Sequence, residues 1–351
     1  MVEAPRRPWT RYDPGVKRTH LLLVSSCLFL AAAFSQDEAK PTGLSAGDLK
    51  FQWDTTWPGI PNDMQLGNTH GGIAVDSKGQ VYFNTDSENA VVKLTARGKY
   101  MESIGQKLEG GAHGMCIAVE GKQEHLFVAH TGRHEVVKLT LEGKPILTFD
   151  WPRESGKYES KDQFNPTAVA VGPDGRVYVA DGYGRSWVHV YTRKGVYQST
   201  FGGLGSEPGQ FRTPHGISLD DRYSPPLLLV SDRENRRLQH FDLDGKFVGV
   251  VATDLRRPCG VAIQNQLCAV AELEGRVTIL DMKFEVVGHL GDQPDTSIWA
   301  TNQVARDKWV DGQFLSPHGV CWDRDGDLFV MDWNREGRVT RLARKTVETV
   351  K

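Results

Sequence analysis

The sequence predicts an all-β fold, namely a six-bladed β-propeller with four short strands in each blade. A five-residue apolar segment recurs six times, as VYFNT (from Val81), LFVAH (Leu126), VYVAD (Val177), LLVSD (Leu228), CAVAE (Cys268) and LFVMD (Leu328). A further strand-like segment follows each copy, as AVVKL, EVVKL, WVHVY, RLQHF, RVTIL and RVTRL. Glycine turns such as LEGKP and LDGKF then lead into another strand. Repeats of about 30 to 50 residues are typical of propellers and solenoids, and four strands per repeat favour a propeller.

The ring is expected to be closed by strands from both ends of the chain. A single blade cannot bury both of its faces, so the six units must close on one another. The last unit lacks a convincing fourth strand, and two segments compete for that place: LKFQWD (Leu49 to Asp54) and TVETV near Val347. We therefore divide the chain into residues 1–35, residues 36–67 with the first of these segments, and a propeller over residues 68–351.

Residues 1–35 have the pattern of a secretory signal peptide. Five basic residues between Arg6 and Arg18 precede an apolar run from Leu21 to Phe34. A run of this length is short for a bilayer span, and small residues such as Ser35 follow it, which favours cleavage there. The protein is thus predicted to be secreted or periplasmic. The alternative is an uncleaved signal anchor that holds it at a membrane.

Charge and composition narrow the class of partner. The 42 basic and 44 acidic residues nearly cancel and form no basic stripe, which argues against nucleic acid. A small-molecule or peptide substrate is the expected partner, and the chain is expected to be a monomer. Four cysteines remain after cleavage, and an even number in an exported chain permits disulfides. Their places on separate inner strands favour buried thiols instead: Cys116, Cys259, Cys268 and Cys321.

Histidine recurs at the residue that opens the first strand of alternate blades. In chain order the opening residues are Gly71, His113, Thr167, His215, Cys259 and His318, with His70 one place before the first. The three histidines are 102 and 103 residues apart, which is two blades each. Because first strands surround the central channel, alternate blades would bring three imidazoles together at one depth. Each His-Gly pair also has a structural interpretation, as a turn in the channel wall.

Three imidazoles with an open fourth position are a ligand set of catalytic zinc. We therefore predict a metal bound by His113, His215 and His318. Zinc is the expected cofactor, and other divalent metals that imidazole binds, such as copper, nickel or iron, are alternatives. His70 is offset by one residue and is predicted to support the ligands or to contact the substrate.

Two loops between second and third strands carry side chains suited to chemistry on the same face. ADGYGRS contains Tyr183 and Arg185, and SDRENRR contains Arg233 and Arg236. A tyrosine can move a proton and an arginine can hold a carboxylate, so Tyr183 and Arg233 are predicted to be catalytic. Arg185 and Arg236 are predicted to support the site or contact the substrate. Packing against a neighbouring loop is the alternative for Tyr183.

Other loop features are assigned supporting roles. Aspartates begin these two loops and the equivalent loop of the last blade, namely Asp181, Asp232 and Asp332. They are expected to cap the turns through backbone amides. Long loops at residues 150–163, 202–210 and 291–313 are predicted to wall a substrate pocket. The last of them contains Trp299, Arg306 and Trp309.

The repeat pattern over residues 68–345 resembles NHL-repeat propellers, and the loop motifs resemble one enzyme family more specifically. DGYGRSWVHVY, GQFRTPHGISL and SDRENRRLQHF are similar to segments of the peptidyl-α-hydroxyglycine α-amidating lyases. The resemblance implies zinc held by His113, His215 and His318, with Tyr183 as base and Arg233 as the cation that contacts the substrate. It also implies release of glyoxylate from a C-terminal α-hydroxyglycine, which leaves a peptide amide.

The sequence departs from that family at several positions. Gly184 follows the tyrosine where the family has a disulfide-bonded cysteine, and Gly319 follows the last histidine where the family has an aspartate linked to structural calcium. A further arginine of the first blade has no clear counterpart near His70. Two other functions are therefore open. One is a non-enzymatic propeller whose loop face binds a peptide, glycan or protein. The other is a lactonase-like hydrolase, against which the histidines argue because such sites hold calcium through oxygen ligands.

Overall fold

The structure, a computed structural model, describes residues 42–345 and contains 25 strands in six antiparallel sheets. The described chain begins with β1 (Gly43–Ala46) and β2 (Leu49–Trp53). Blades one to three follow as β3 (Thr69–Val75), β4 (Val81–Thr85), β5 (Val91–Leu94), β6 (Tyr100–Ile104); β7 (Ala112–Glu120), β8 (Gln123–His130), β9 (Glu135–Thr140), β10 (Pro145–Phe149); β11 (Ala168–Val171), β12 (Val177–Ala180), β13 (Trp187–Tyr191), β14 (Tyr197–Gly202). Blades four to six are β15 (Pro214–Asp220), β16 (Leu227–Asp232), β17 (Arg237–Phe241), β18 (Phe247–Ala252); β19 (Pro258–Gln264), β20 (Leu267–Glu272), β21 (Arg276–Leu280), β22 (Val286–Leu290); β23 (Pro317–Trp322), β24 (Leu328–Asp332), β25 (Arg338–Lys345).

The prediction of an all-β propeller with six four-stranded blades is confirmed. Short 3-10 helices lie in the connections, at Gln106–Leu108, Arg153–Ser155, Lys161–Gln163, Thr296–Ile298 and Arg306–Lys308. No helix within residues 42–345 is long and apolar enough to cross a membrane. The signal peptide predicted at residues 1–35 lies outside the described residues and stays a prediction.

The second strand of each blade is buried on both faces, which explains its mainly apolar sequence. Every residue of β4, from Val81 to Thr85, is buried, and β24 is buried in the same way from Leu328 to Asp332. These strands stack between neighbouring blades, where Val81, Phe83 and Leu126 belong to one apolar cluster. Burial between blades is thus what holds consecutive repeats together.

The predicted closure of the ring by both chain ends is confirmed. In the last blade β2 pairs with β25, and Phe51 lies opposite Arg344. The segment LKFQWD therefore supplies the fourth strand, and β1 adds a fifth strand outside it. The competing segment TVETV lies outside the described residues. Phe51 and Trp53 of β2 are buried, so the strand contributes to the core as well as to the hydrogen bonding.

Replacing Phe51 by alanine is therefore expected to weaken closure of the ring. Removing a buried phenylalanine side chain costs about 3–5 kcal/mol of the free energy of unfolding. Lys50→Ala on the same strand is the matched control, because Lys50 is exposed and its loss should change stability by less than about 0.5 kcal/mol. Urea unfolding of the two variants checks this. Equal midpoints for both would mean that the closing strand contributes little.

Candidate functional site

The six opening residues of the first strands form one ring around the channel, here called the channel ring. It consists of Gly71, His113, Thr167, His215, Cys259 and His318. In blade four Pro214 pairs with Asp232 and Gly216 pairs with Ser231, so His215 is the extra residue of a β-bulge. A bulge re-aims the side chain of its extra residue, which here lines the channel. The same irregularity occurs at Cys259 and His318.

Small residues follow the channel ring because the inner strands approach one another closely. The next residues are Gly72, Gly114, Ala168, Gly216, Gly260 and Gly319. A Cβ on Gly216 would overlap the Cys259 carbonyl oxygen, and one on Gly319 would overlap that of Gly71. The glycine of each His-Gly pair is thus required by backbone packing. The histidine is not, because Thr167 and Cys259 occupy the same position in other blades.

Gly216→Ala is expected to destabilise the ring beside His215. The added methyl group meets backbone rather than a flexible side chain, and such overpacking costs about 1–3 kcal/mol. Gly249→Ala is the matched control, because a Cβ there meets nothing within 4 Å. Thermal unfolding of both variants is the measurement. A Gly216→Ala protein as stable as the control would contradict the close approach of the inner strands.

Four histidine rings meet at the centre of the ring, and we call them the histidine cluster: His70, His113, His215 and His318. The ring centroids of His113 and His215 are 4.9 Å apart, those of His215 and His318 are 4.4 Å apart, and those of His113 and His318 are 5.3 Å apart. His70 lies 4.4 Å from His113 and 4.8 Å from His318. The extra residue in the opening of the first blade therefore adds a fourth imidazole to the three predicted ones.

Backbone carbonyls of the following blade fix two of these rings. His113 donates its Nδ1–H to the Thr167 carbonyl at 2.6 Å, and His215 donates its Nδ1–H to the Cys259 carbonyl at 3.1 Å. Each Nε2 is then the unprotonated nitrogen that carries the lone pair. Metal-binding histidines are commonly oriented by this kind of hydrogen bond, because it fixes the tautomer and the direction of the ring.

Two nitrogens of the cluster are buried without a partner among the described residues. They are Nε2 of His113 and Nδ1 of His318. Burial is the main cause that holds the pKa of His113, His215 and His318 well below the usual value, and the positive charge of Arg233 acts in the same direction. Burial also lowers the pKa of His70 to about 4. All four rings are therefore neutral near pH 7, as metal ligation requires.

The donor atoms of the site form two overlapping sets, each with its atoms within 4.8 Å of one another. The first set is His70, His113 and His318, and the second is His215, Cys259 and His318. The structure thus brings the three predicted ligands together, although His113 and His215 fall in different sets. The buried nitrogens, the neutral rings and the soft donors fit a divalent transition metal. Ligation by His113, His215 and His318 stays a prediction.

A second ring of residues, here called the loop ring, lies next to the channel ring. In blades two to six a loop N–H donates to the carbonyl two residues before the channel-ring residue. These loop residues are Thr131, Tyr183, Arg233, Leu273 and Trp333. Tyr183 and Arg233 therefore occupy equivalent positions in adjacent blades, which the sequence spacing alone did not show.

Tyr183 and Arg233 contact each other and the histidine cluster. The Tyr183 hydroxyl donates to His215 Nε2 at 3.0 Å, and Arg233 Nη1 donates to the Tyr183 oxygen at 3.4 Å. The guanidinium carbon of Arg233 lies 5.4 Å from the Tyr183 ring centroid. Burial raises the pKa of Tyr183 to about 12, and Arg233 opposes that shift. Without metal, Tyr183 is thus a neutral phenol near pH 7.

Arg233 is held by a carboxylate that it shares with a second arginine. Glu234 Oε1 accepts from Arg233 Nε at 2.9 Å and from Arg257 Nη2 at 2.6 Å. Two guanidinium groups share one carboxylate, so a positive charge is left over beside the cluster. Such a charge favours an anionic substrate group. Glu234 and Arg257 were not predicted, and their contact joins residues 23 positions apart in sequence.

The aspartates that begin the loops have the expected capping role. Asp181 accepts the N–H of Asn165 at 2.7 Å and that of Arg185 at 2.6 Å. Asp332 accepts the N–H of Leu315 and Ser316 at 2.9 and 2.8 Å. Asp232 does the same for the N–H of Arg212 at 2.7 Å. These carboxylates stabilise the loops that carry the site.

Arg236 and Arg185 lie away from the histidine cluster. Arg236 makes a bidentate ion pair with Glu274 at 2.9 and 2.7 Å, which occupies its guanidinium. Arg185 is exposed and lines a surface cavity of about 550 Å³ beside Tyr183, with Lys157, Trp187 and Leu204. A substrate contact by Arg185 stays a prediction, and for Arg236 the ion pair competes with such a contact.

The tryptophans of the 291–313 loop make other contacts. Trp299 stacks on Arg256 at 4.4 Å, and Trp309 lies against Arg338 at 5.3 Å. Trp333 instead lies 5.9 Å from His70 and 6.3 Å from His318, between ring centroids. Trp333 directly follows Asp332, just as Arg233 directly follows Asp232. This shared position is the sequence signal that could have identified Trp333.

Cys259 and Cys268 are buried thiols, as predicted, whereas Cys116 and Cys321 are half-buried, and all four are free. The Cys259 sulfur nevertheless belongs to the second donor set. A cavity of about 260 Å³ is lined by the channel ring and by residues further along the inner strands, among them Met115, Ile217 and Trp322. The channel-ring residues thus share this cavity with mainly apolar side chains of the inner strands.

Comparisons with known proteins agree with the fold and with the motifs. Residues 165–191 match the NHL repeat family. The fold is similar to that of a solved streptogramin B lyase, with a TM-score of 0.56, 17% identity and coverage of 86% of this chain and 100% of that one. At this identity the likeness concerns the fold alone. The chain is thus a six-bladed propeller that contains an NHL repeat.

Sequence relatives include amidating enzymes. The chain is 30% identical over 320 residues to peptidyl-glycine alpha-amidating monooxygenase A of Xenopus laevis, covering 81% of this chain and 32% of that protein. It is 25% identical over 327 residues to a probable peptidyl-alpha-hydroxyglycine alpha-amidating lyase of Caenorhabditis elegans, covering 85% and 89%. The chain therefore spans about a third of the length of the monooxygenases that it matches. The resemblance to NHL propellers and to amidating lyases is confirmed.

Proposed function

We propose that this chain is a metal-dependent lyase that acts on peptides ending in α-hydroxyglycine and releases glyoxylate. The observation that carries the proposal is the convergence of three predicted ligands with Tyr183 and Arg233. Tyr183 contacts His215 at 3.0 Å, and Arg233 contacts Tyr183 at 3.4 Å. The relatives named as amidating lyases support the same reaction.

His113, His215 and His318 would hold the metal, with zinc as the expected ion. When bound, the metal supplies a positive charge that polarises an oxygen of the substrate. His215 Nε2 then no longer accepts the hydrogen bond of Tyr183. The Tyr183 oxygen becomes available to the hydroxyl group of the substrate.

Tyr183 and Arg233 divide the remaining chemistry. Tyr183 would act as the phenolate, with its own proton lost to solvent and its charge stabilised by Arg233, and would take the proton of the substrate hydroxyl. A carbonyl would form at that carbon as the bond to the amide nitrogen breaks, and the nitrogen would take up the proton from Tyr183. The products are glyoxylate and a peptide amide. The positive charge that Arg233, Glu234 and Arg257 leave beside the cluster would hold the carboxylate of the α-hydroxyglycine.

A surface cavity begins at the residue that follows Tyr183. It is lined by Gly184, Arg185 and Trp187. We propose that it receives the residues that precede the α-hydroxyglycine. Action as a monomer after export is part of the same proposal.

The test is glyoxylate release by the purified mature chain loaded with zinc. A short peptide that ends in α-hydroxyglycine should yield glyoxylate and peptide amide in equal amounts. The same peptide ending in glycine is the control and should yield neither, because it lacks the hydroxyl group. Absence of glyoxylate with several such peptides from a zinc-loaded protein would contradict the lyase function.

A further inference from the structure

The blade-five member of the channel ring differs in chemistry from the other five. Cys259 is the only cysteine of the channel ring, and its side chain is buried. It occupies the same bulge position as the ligand candidates His215 and His318, which belong to the blades on either side. The fold therefore directs its sulfur to the channel at the depth of the histidine cluster.

The Cys259 sulfur is within reach of two histidine nitrogens. The donor atoms of His215, Cys259 and His318 lie within 4.8 Å of one another. Ligand atoms around a tetrahedral zinc are about 3.4–3.6 Å apart, given bonds of about 2.3 Å to sulfur and 2.0–2.1 Å to nitrogen. If their side chains rotated so that the donor atoms moved by about 1 Å, all three residues could bind one metal. The other described cysteines belong to no such set within residues 42–345.

The surroundings hold Cys259 in place, and its sulfur makes weak polar contacts. Its carbonyl accepts the hydrogen bond that orients His215, so the Cys259 backbone is part of the site. The thiol contacts the Arg257 carbonyl at 3.7 Å and also makes a polar contact with Arg233. Two nearby nitrogens, His113 Nε2 and His318 Nδ1, are buried without a partner in the described chain. A bound metal would give the Cys259 sulfur and these histidine nitrogens a common partner.

We propose that Cys259 is a sulfur ligand of the metal, in addition to the histidines. The inference rests on the metal of the proposed function but not on its lyase reaction. A thiolate makes the centre selective for thiophilic metals such as zinc or cobalt and against calcium or magnesium. It also reduces the charge of the metal centre and occupies the blade-five side of the channel. With the three histidines this makes four protein ligands, so the substrate oxygen would be a fifth ligand and would approach from the side of Tyr183.

Cobalt substitution tests the proposal without any turnover. Metal-free mature protein is titrated with Co²⁺, and the near-ultraviolet charge-transfer band from thiolate sulfur to cobalt is recorded. The band is expected in the parent and in Cys116→Ser, a control cysteine three residues after His113 on the inner strand of blade two. Cys259→Ser should lose the band and bind Co²⁺ at least about 10-fold more weakly. An unchanged band in Cys259→Ser would overturn the proposal.

X-ray absorption of the zinc-loaded parent makes the test independent of the folding of the variant. One sulfur neighbour at about 2.3 Å beside nitrogen neighbours is expected, and a shell of nitrogen and oxygen alone would overturn the sulfur ligand. A sulfur neighbour in a protein that releases no glyoxylate would support the sulfur ligand and contradict the lyase. Glyoxylate release by a protein whose metal has only nitrogen and oxygen neighbours would support the lyase and contradict the sulfur ligand. A parent that binds neither metal would overturn both.

Discussion

Replacing His113, His215 and His318 together by alanine should abolish metal binding and glyoxylate release while the propeller stays folded. Each ring contributes a buried nitrogen aimed at the cluster or a hydrogen bond to a neighbouring blade, and none supports a strand pair. Zinc affinity depends on the number of neutral nitrogen donors, so the loss of three should leave no stoichiometric site. Elemental analysis after dialysis measures this directly.

Stability supplies a second measurement on the same variant. Metal stabilises the folded parent through binding, by about 2.7 kcal/mol at a free concentration 100 times the dissociation constant. The triple variant should show no such increase on addition of zinc. His289→Ala is the matched control, because His289 lies exposed on an outer strand and should keep both the metal and its stabilisation. Unchanged zinc content in the triple variant would mean that these histidines are not the ligands.

The propeller is predictable from the sequence because each blade repeats the same burial pattern. Strands buried on both faces, such as Val81 to Thr85, have mainly apolar sequences, and six copies fix the number of blades. Register follows from the same repeats. The two-blade spacing of the three histidines therefore predicts that their rings meet, without knowledge of a single distance.

The closing strand could not be decided from the sequence alone. LKFQWD and the segment near Val347 both have apolar residues suited to an edge of the last blade. Pairing across nearly 300 residues decides the matter, since Lys50 lies opposite Lys345. Burial of Phe51 and Trp53 is the physical reason that the N-terminal segment takes this place.

Other parts of the site depend on contacts between blades that no repeat predicts. The opening of blade one contains one extra residue, which moves His70 into the cluster although its spacing is irregular. Arginine is a residue type that suits a substrate contact, but Arg236 forms an ion pair with Glu274 of the next blade. The bridge from Arg233 through Glu234 to Arg257 is equally invisible in sequence, because charge pairs across loops follow no period.

Trp333 and Cys259 show a different reason for missed residues. Both occupy positions whose counterparts in other blades were predicted to be functional, Arg233 for the tryptophan and the histidines for the cysteine. Neither residue was predicted to belong to the site, because the candidates were chosen by residue type and not by position in the repeat. In a repeat protein, register thus points to candidate site residues that residue type alone does not.

Tyr183→Phe and Arg233→Lys should each leave a folded, metal-loaded protein whose turnover of an α-hydroxyglycine peptide falls steeply. Tyr183→Phe keeps the ring and removes the oxygen that would take the proton, so kcat should fall by about 10²–10⁴, the usual contribution of an acid–base group. Arg233→Lys keeps the charge but loses the planar donors that bond Glu234 and Tyr183 at once. Its defect should appear in KM as well as in kcat.

Matched controls separate these effects from general damage to the loops. Arg236→Lys changes an arginine three residues further along the same loop, and Tyr197→Phe removes a hydroxyl that bonds Thr200 on an outer strand. Both should keep kcat within a few-fold of the parent, and all four variants should bind zinc in equal amounts. Near-normal kcat in Tyr183→Phe would exclude Tyr183 as the base. A loss of zinc in that variant would instead assign Tyr183 to the support of His215, because its hydroxyl contacts the nitrogen that is proposed to bind the metal.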